Sequence, residues 1–199
     1  MARPRVLPFA AAIALLTAFA VQAQTTERIR GTITGMEGST LAIKTREGKD
    51  VKVDLTEKAS VAAVKAISLS DLKPGDYVGA TTRKRADGAL VAMEVHVLPQ
   101  GVGEGHRPWD LAPETMMTNA NIESMVQAAG GQELVLKYKD GSQKILVPPG
   151  TPVVTTTPAD RSFLKAGEFV FMNANVGPDG KMTTSARIQV SKDGVKPPQ

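Results

Sequence analysis

The chain has 199 residues, of which 42% are apolar and 4% aromatic, and its formal net charge is +4. This length allows one large or two small domains, with enough apolar residues for real cores. Because the chain contains no cysteine, a disulfide scaffold, a cysteine nucleophile, thiolate metal sites and a lipid-anchored N-terminal cysteine are all excluded.

The first predicted element is an export signal over residues 1–23. Two arginines precede an apolar run over residues 6–21, and small residues occupy the −3 and −1 positions of a cleavage site after Ala23. A retained membrane anchor fits less well, because this run is shorter than the roughly 20 residues of a spanning helix and contains Pro8. We therefore expect a periplasmic or secreted mature protein without a membrane span.

Removal of residues 1–23, which hold two arginines and no acidic residue, lowers the net charge from +4 to +2. The remaining charges are of mixed sign and do not form the basic field that a phosphate backbone requires. The densest basic run, residues 83–85, is predicted to flank a hairpin, and stacking platforms for single-stranded nucleic acid are few. We therefore expect no nucleic-acid partner.

Residues 27–99 are predicted to form five short strands. Apolar and polar side chains alternate with the period of two that a half-buried strand requires. In the last strand the pattern puts Val91, Met93, Val95 and Val97 on one face and His96 on the other. A short strand near Val61 and a helical turn separate the third strand from the fourth. Closure into a barrel would remove the exposed strand edges.

A second segment repeats the first at a separation of about 93 residues. The order of the repeated blocks is the same in both segments, which indicates duplication of one domain. In the second segment, Thr157 and Pro158 suit the N-cap and first position of the helical turn. The blocks are LAIKTREG at 41–48 and LVLKYKDG at 134–141, LKPGDYV at 72–78 and LKAGEFV at 164–170, and Asp-Gly at 87–88 and 179–180.

The order of elements is similar to that of an oligonucleotide/oligosaccharide-binding (OB) barrel. The turn sequences also resemble a bacterial family of secreted small-barrel domains of unknown function, over most of residues 27–99 and more weakly over 121–191. The segments that carry this resemblance are residues 31–33, 38–41, 72–76 and 87–90.

The resemblance implies an all-β fold with two tandem five-stranded OB-like barrels. The expected division of the chain is a signal peptide at 1–23, barrel one at 27–99, an ordered strap at 100–120, barrel two at 121–191 and a disordered tail at 192–199.

The strap, residues 100–120, is the least generic part of the chain because it contains the single tryptophan. A passive linker would be polar, whereas this segment offers large apolar side chains for burial. Either the strap packs against the barrels, or its tryptophan lines a groove for a small ligand or an envelope protein. The candidate binding residues are Arg107, Trp109, Asp110, Met116 and Met117.

Two further functions remain open. Thioether and imidazole groups suit Cu(I), and some periplasmic copper-binding chaperones are small OB barrels. The candidate metal ligands are His96, His106, Met116 and Met117. Catalysis has less support, because these two histidines are the only imidazoles and no acid–base constellation is evident.

The interpretation favoured by the sequence is a non-catalytic secreted or periplasmic binding or envelope-associated protein, with an unassigned ligand and no cofactor. The alternatives are a copper-type metal-binding protein and, third, an enzyme of unknown class.

Overall fold

A computed structural model describes residues 25–198, so the expected signal peptide at 1–23 lies outside the described residues. The described part is all-β, as predicted, and its strands form one connected 14-stranded sheet. None of the helices in residues 25–198 has the length and hydrophobicity needed to cross a bilayer. The strands are β1 (Thr25–Glu37), β2 (Thr40–Thr45), β3 (Asp50–Leu55), β4 (Ser60–Ala66), β5 (Tyr77–Lys84), β6 (Leu90–Val97), β7 (Gly105–Pro108), β8 (Thr115–Ala128), β9 (Gly131–Tyr138), β10 (Gly141–Val147), β11 (Val153–Ala159), β12 (Phe169–Val176), β13 (Met182–Thr184) and β14 (Arg187–Val190).

Five strands, β5, β6, β8, β9 and β10, form a closed barrel. The antiparallel pairs are β5–β6, β5–β8, β8–β9 and β9–β10, and the parallel pair β6–β10 completes the ring. Alternate side chains of these strands fill the interior, where Val78, Val95, Leu134 and Ile145 are fully buried. The predicted closure into a five-stranded barrel is therefore confirmed, and closure leaves no unpaired edge around the ring.

A second ring of paired strands contains β1, β2, β3, β12 and β13. It has a core of its own, which includes Ile33, Leu41, Val53 and Ile188. Strand β14 pairs with the start of β12, and β13 pairs with its end, so these two short strands together cover one side of β12.

The strands are distributed differently from the expected division at residues 27–99 and 121–191. Strands β1–β3 pair with β12 and β13 from the second segment, and β5 and β6 pair with β8–β10. Each ring therefore combines strands from both halves of the chain. The alternating pattern could not reveal this, because it determines which face of a strand is buried and not which strand lies beside it.

The exchange occurs at a two-stranded ribbon formed by β4 and β11. The ribbon is antiparallel, with Val64 opposite Thr156 at its centre, Ala66 opposite Val154 on one side and Ala62 opposite Pro158 on the other. Its outer edges pair in parallel with β14 and β6. The chain thus passes from one ring to the other through this ribbon, and the sheet continues from ring to ring.

Strand β6 contains a β-bulge that changes which residues face the barrel core. Thr81 pairs with Glu94 and Thr82 with Ala92, so Met93 is the extra residue. Ala92 and Val95 are in the core. The prediction that Val91 and Met93 share a face with Val95 and Val97 is therefore wrong, because a bulge shifts the period of two by one residue.

The two helical turns follow the ribbon strands. The predicted turn in the first segment is confirmed at Leu69–Asp71, where Ser68 and Asp71 form a capping box. In the second segment the turn is Arg161–Phe163 and its N-cap is Asp160, so the predicted cap at Thr157 and Pro158 is wrong. Those two residues continue β11 and pair with Ala63 and Ala62 instead.

The C-terminal segment 192–198 is ordered in contact with the rest of the chain, unlike the disordered tail expected at 192–199. Lys192 and Val195 form a β-bridge, and Pro197 and Pro198 are buried. Pro198 also lines a cleft beside Trp109. Burial of the two proline rings favours the ordering of this segment.

Candidate functional site

The strap folds back along the barrel instead of crossing open space. Its strand β7 pairs with the first half of β8, with Arg107 opposite Met117. The following turn is closed by two hydrogen bonds, from the Trp109 backbone N–H to the Thr115 carbonyl (2.8 Å) and from the Thr115 hydroxyl to the Trp109 carbonyl (2.9 Å). Because Thr115 is buried, this turn holds the tryptophan in a defined position.

Trp109 lies among three arginines. The guanidinium carbons of Arg28, Arg30 and Arg107 are 4.2, 5.6 and 5.7 Å from its ring centroid. These distances fall within the range of cation–π attraction. Arg28 and Arg30 are two residues apart on β1 and therefore extend from the same face of that strand. The tryptophan of the strap thus packs against the outer face of the second ring.

Asp110 anchors two of these arginines. It accepts hydrogen bonds from Arg28 Nη1 (2.9 Å) and Arg30 Nη2 (2.7 Å). Partial burial raises the pKa of Asp110, but the two arginines outweigh this effect and lower its pKa overall. Arg30 is only 5% exposed and its Nε has no hydrogen-bond partner, so Asp110 is the counter-charge for a buried cation.

A cleft of about 660 Å³ opens beside Trp109, between the barrel and the second ring. We call it the Trp109 cleft. Its charged wall consists of Arg28, Arg107 and Arg187, and no described acidic residue lines it. Apolar side chains, including Val102, Met117, Phe171 and Pro198, form much of the remaining wall. A volume of this size is typical of small-molecule sites.

The polar wall of the Trp109 cleft contains His96 and Asn119. Both side chains are buried, and His96 Nδ1 and Asn119 Oδ1 have no hydrogen-bond partner. Desolvation lowers the pKa of His96 to about 4, so the imidazole is neutral at pH 7. A Cβ at Gly79 would lie 2.4 Å from His96 Nε2 and 2.8 Å from Asn119 Oδ1, so only glycine fits there.

The structure places the predicted binding residues in three positions. Arg107, Trp109 and Met117 line the Trp109 cleft. Asp110 is behind them and holds the arginines of β1. Met116 lines a different cavity, because consecutive residues of β8 point to opposite sides of the strand.

The predicted metal ligands are not brought together. His96 and Met117 line the Trp109 cleft, whereas His106 and Met116 line the other cavity. His106 Nδ1 lies 2.8 Å from the Thr118 hydroxyl, and desolvation lowers the pKa of this imidazole. Within residues 25–198, no group of three histidine, aspartate or glutamate side chains could hold a metal ion.

Four further residues that the sequence pattern did not predict line the cleft: Arg28, Asn119, Arg187 and Gln189. Arg28 and Arg187 occupy polar positions of alternating strands, a pattern that is typical of a solvated face. They reach the Trp109 cleft because β1 belongs to the second ring and β14 pairs with β12 of that ring, opposite the strap. The basic and aromatic residues of the strap were the only local signal of this site.

Comparison of the chain with protein-family models, curated proteins and solved structures finds no match.

Proposed function

We propose that this protein is an exported, non-catalytic binding protein of the cell envelope, which holds a small ligand in the Trp109 cleft. One observation carries the proposal: the cleft lies where the strap meets both rings, and it is lined by three arginines and Trp109 with no described acidic residue. Charged groups at such a site determine the orientation of a ligand, while the apolar wall provides area for burial. Export is supported by the pattern of residues 1–23.

The titratable groups of the Trp109 cleft support binding over catalysis. General acid–base catalysis works best when the pKa of the catalytic group is near the operating pH. The described titratable side chains in the cleft wall are the three arginines and His96. Arginine remains protonated, and burial keeps His96 neutral, so these groups suit recognition of a ligand rather than transfer of a proton.

The proposal includes the origin of the fold as a tandem duplication of an OB-like domain. Repeated sequence blocks about 93 residues apart support it. The register of the β4–β11 ribbon also supports it, because its central pair, Val64–Thr156, joins positions 92 residues apart, the same separation as between the blocks at 72–78 and 164–170. In this view the two copies exchanged their last strands, and the Trp109 cleft formed between the resulting rings.

The binding function can be tested with protein made in a Gram-negative host with its natural N-terminal segment. The protein is purified from the periplasm without denaturant and examined by native mass spectrometry before and after unfolding. We expect a small molecule that is retained only by the folded protein. Arg107→Ala with Arg187→Ala should lose it, whereas Arg83→Ala, an exposed arginine of β5 that does not line the cleft, should keep it.

No retained molecule, or equal retention by both variants, would contradict binding in this cleft. Export is tested on the same sample, since cleavage after Ala23 leaves Gln24 at the N-terminus.

A further inference from the structure

Of the three arginines that line the Trp109 cleft, only Arg28 is paired with an acidic side chain. Arg28 shares Asp110 with Arg30. Arg107 Nη1 donates to the Gly103 carbonyl at 2.6 Å, which neutralises no charge. Within residues 25–198, neither Arg107 nor Arg187 forms an ion pair. Glu104, an acidic residue of the strap, accepts a hydrogen bond from the Lys139 backbone N–H and does not pair with either arginine. The cleft therefore has a net positive charge and is complementary to an anion.

The apolar part of the wall favours a flat ligand. Trp109 and Phe171 line the same cleft, and each already has a guanidinium group near its ring: Arg28 at 4.2 Å for Trp109 and Arg30 at 5.2 Å for Phe171. Guanidinium and aromatic planes stack on other planar groups with little loss of side-chain freedom. An aromatic ring in the cleft could contact these surfaces while its acidic group reaches the free charge of Arg107.

The same wall contains two buried polar side chains that are incompletely hydrogen-bonded. His96 and Asn119 are buried in it, yet His96 Nδ1 and Asn119 Oδ1 have no hydrogen-bond partner. A buried polar atom without a partner destabilises the fold, so these two atoms reduce stability and are consistent with a wall that is adapted to function. The glycine at position 79, which allows these two side chains to approach β5, belongs to the same arrangement.

From these features we propose that the ligand of the Trp109 cleft is a small aromatic carboxylate. The inference rests on the proposed binding function and specifies its ligand class. The carboxylate pairs with the uncompensated arginines, Arg107 and Arg187, and the aromatic ring packs beside Trp109 and Phe171. A volume of about 660 Å³ accommodates one or two fused rings with a short acidic substituent.

Three probes separate the two parts of this proposal. 2-Naphthoate has both the ring and the charge, 2-naphthalenemethanol has the ring alone, and decanoate has the charge alone. Binding to the full mature chain is measured by titration calorimetry and by fluorescence of the single tryptophan. We expect 2-naphthoate to bind about tenfold or more tightly than 2-naphthalenemethanol, as the loss of one charge-assisted hydrogen bond would cause. It should also bind more tightly than decanoate, which keeps the charge but has no ring to pack beside Trp109 and Phe171.

Variants connect this binding to the cleft. Arg107→Ala with Arg187→Ala should reduce the affinity for 2-naphthoate to that for the neutral alcohol, and Arg107→Lys, which keeps the charge, should retain part of it. Arg83→Ala is the matched control and should bind as the unmodified chain does. The urea midpoint of each variant shows whether the fold is intact.

The outcomes distinguish the ligand class from the binding function. Equal affinity for the alcohol would overturn the role of the charge, and equal affinity for decanoate would overturn the role of the ring. If none of the probes binds while native mass spectrometry still detects a molecule retained through Arg107, the aromatic carboxylate is wrong and the binding function stands. If both measurements are negative, both proposals fail.

Discussion

His96 is a buried base whose neutral form the fold requires. Desolvation lowers its pKa from 6.5 to about 4, so between these pH values the unfolded chain binds more protons than the folded chain. The free energy of unfolding should therefore be constant above about pH 7 and fall as the pH is lowered from 6.5 toward 4. At about 1.4 kcal/mol per pKa unit, the loss amounts to about 3 kcal/mol. Urea unfolding at several pH values measures it.

The matched variants are His96→Gln and His106→Gln. His106 is only partly buried, and burial lowers its pKa in the same direction, so its removal should reduce the pH dependence slightly. Removal of His96 should abolish most of it. An unchanged slope in His96→Gln would show that other groups cause the loss.

Arg30 gives a second prediction at the level of single residues. It is 5% exposed and paired with Asp110, so Asp110→Asn leaves a buried cation without its counter-charge. We expect a loss of about 1–3 kcal/mol in the free energy of unfolding. Asp193→Asn is the control, because its pair with Lys192 is exposed and should contribute nothing measurable. Equal urea midpoints for the two variants would contradict this assignment.

At the level of elements, the close approach of β5, β6 and β8 depends on Gly79. A methyl group there would overlap the His96 ring and Asn119 Oδ1, so Gly79→Ala should destabilise the protein by about 1–3 kcal/mol. Gly35→Ala is the matched strand control, because nothing lies within 4 Å of its added Cβ, and stability should be unchanged or slightly higher. Urea unfolding of both variants measures the two changes in the free energy of unfolding. Similar losses would argue against the packing described at Gly79.

For the whole molecule, the exchange of strands predicts that neither half folds alone. Residues 25–101 contain β1–β3 without β12 and β13, and they contain β5 and β6 without β8–β10. Each fragment, 25–101 or 102–199, should therefore show no cooperative unfolding, because its apolar strand faces lack their partners. An equimolar mixture should regain a cooperative transition by circular dichroism. Cooperative unfolding of 25–101 alone would contradict the observed pairing.

The strap residues of the candidate site could be predicted from the sequence, whereas the residues on β1 and β14 could not. Arg107, Trp109 and Met117 could be chosen from the sequence, because a basic and aromatic strap between repeated segments is unusual for a linker. Arg28 and Arg187 could not, since each occupies a polar strand position that is indistinguishable from a solvated one. The division of Met116 and Met117 between two cavities follows from strand alternation, but only once β8 is known to begin within the strap, at Thr115.

The sequence by itself determined the β class, most strand positions and the hairpin turns, because period-two alternation and Asp-Gly pairs act over a few neighbouring residues. The tertiary structure alone decided which strands share a ring, where the bulge in β6 shifts the core face, and which arginines meet Trp109. Those outcomes depend on contacts between residues far apart in the chain. A half-buried strand has the same local pattern whichever neighbour it pairs with.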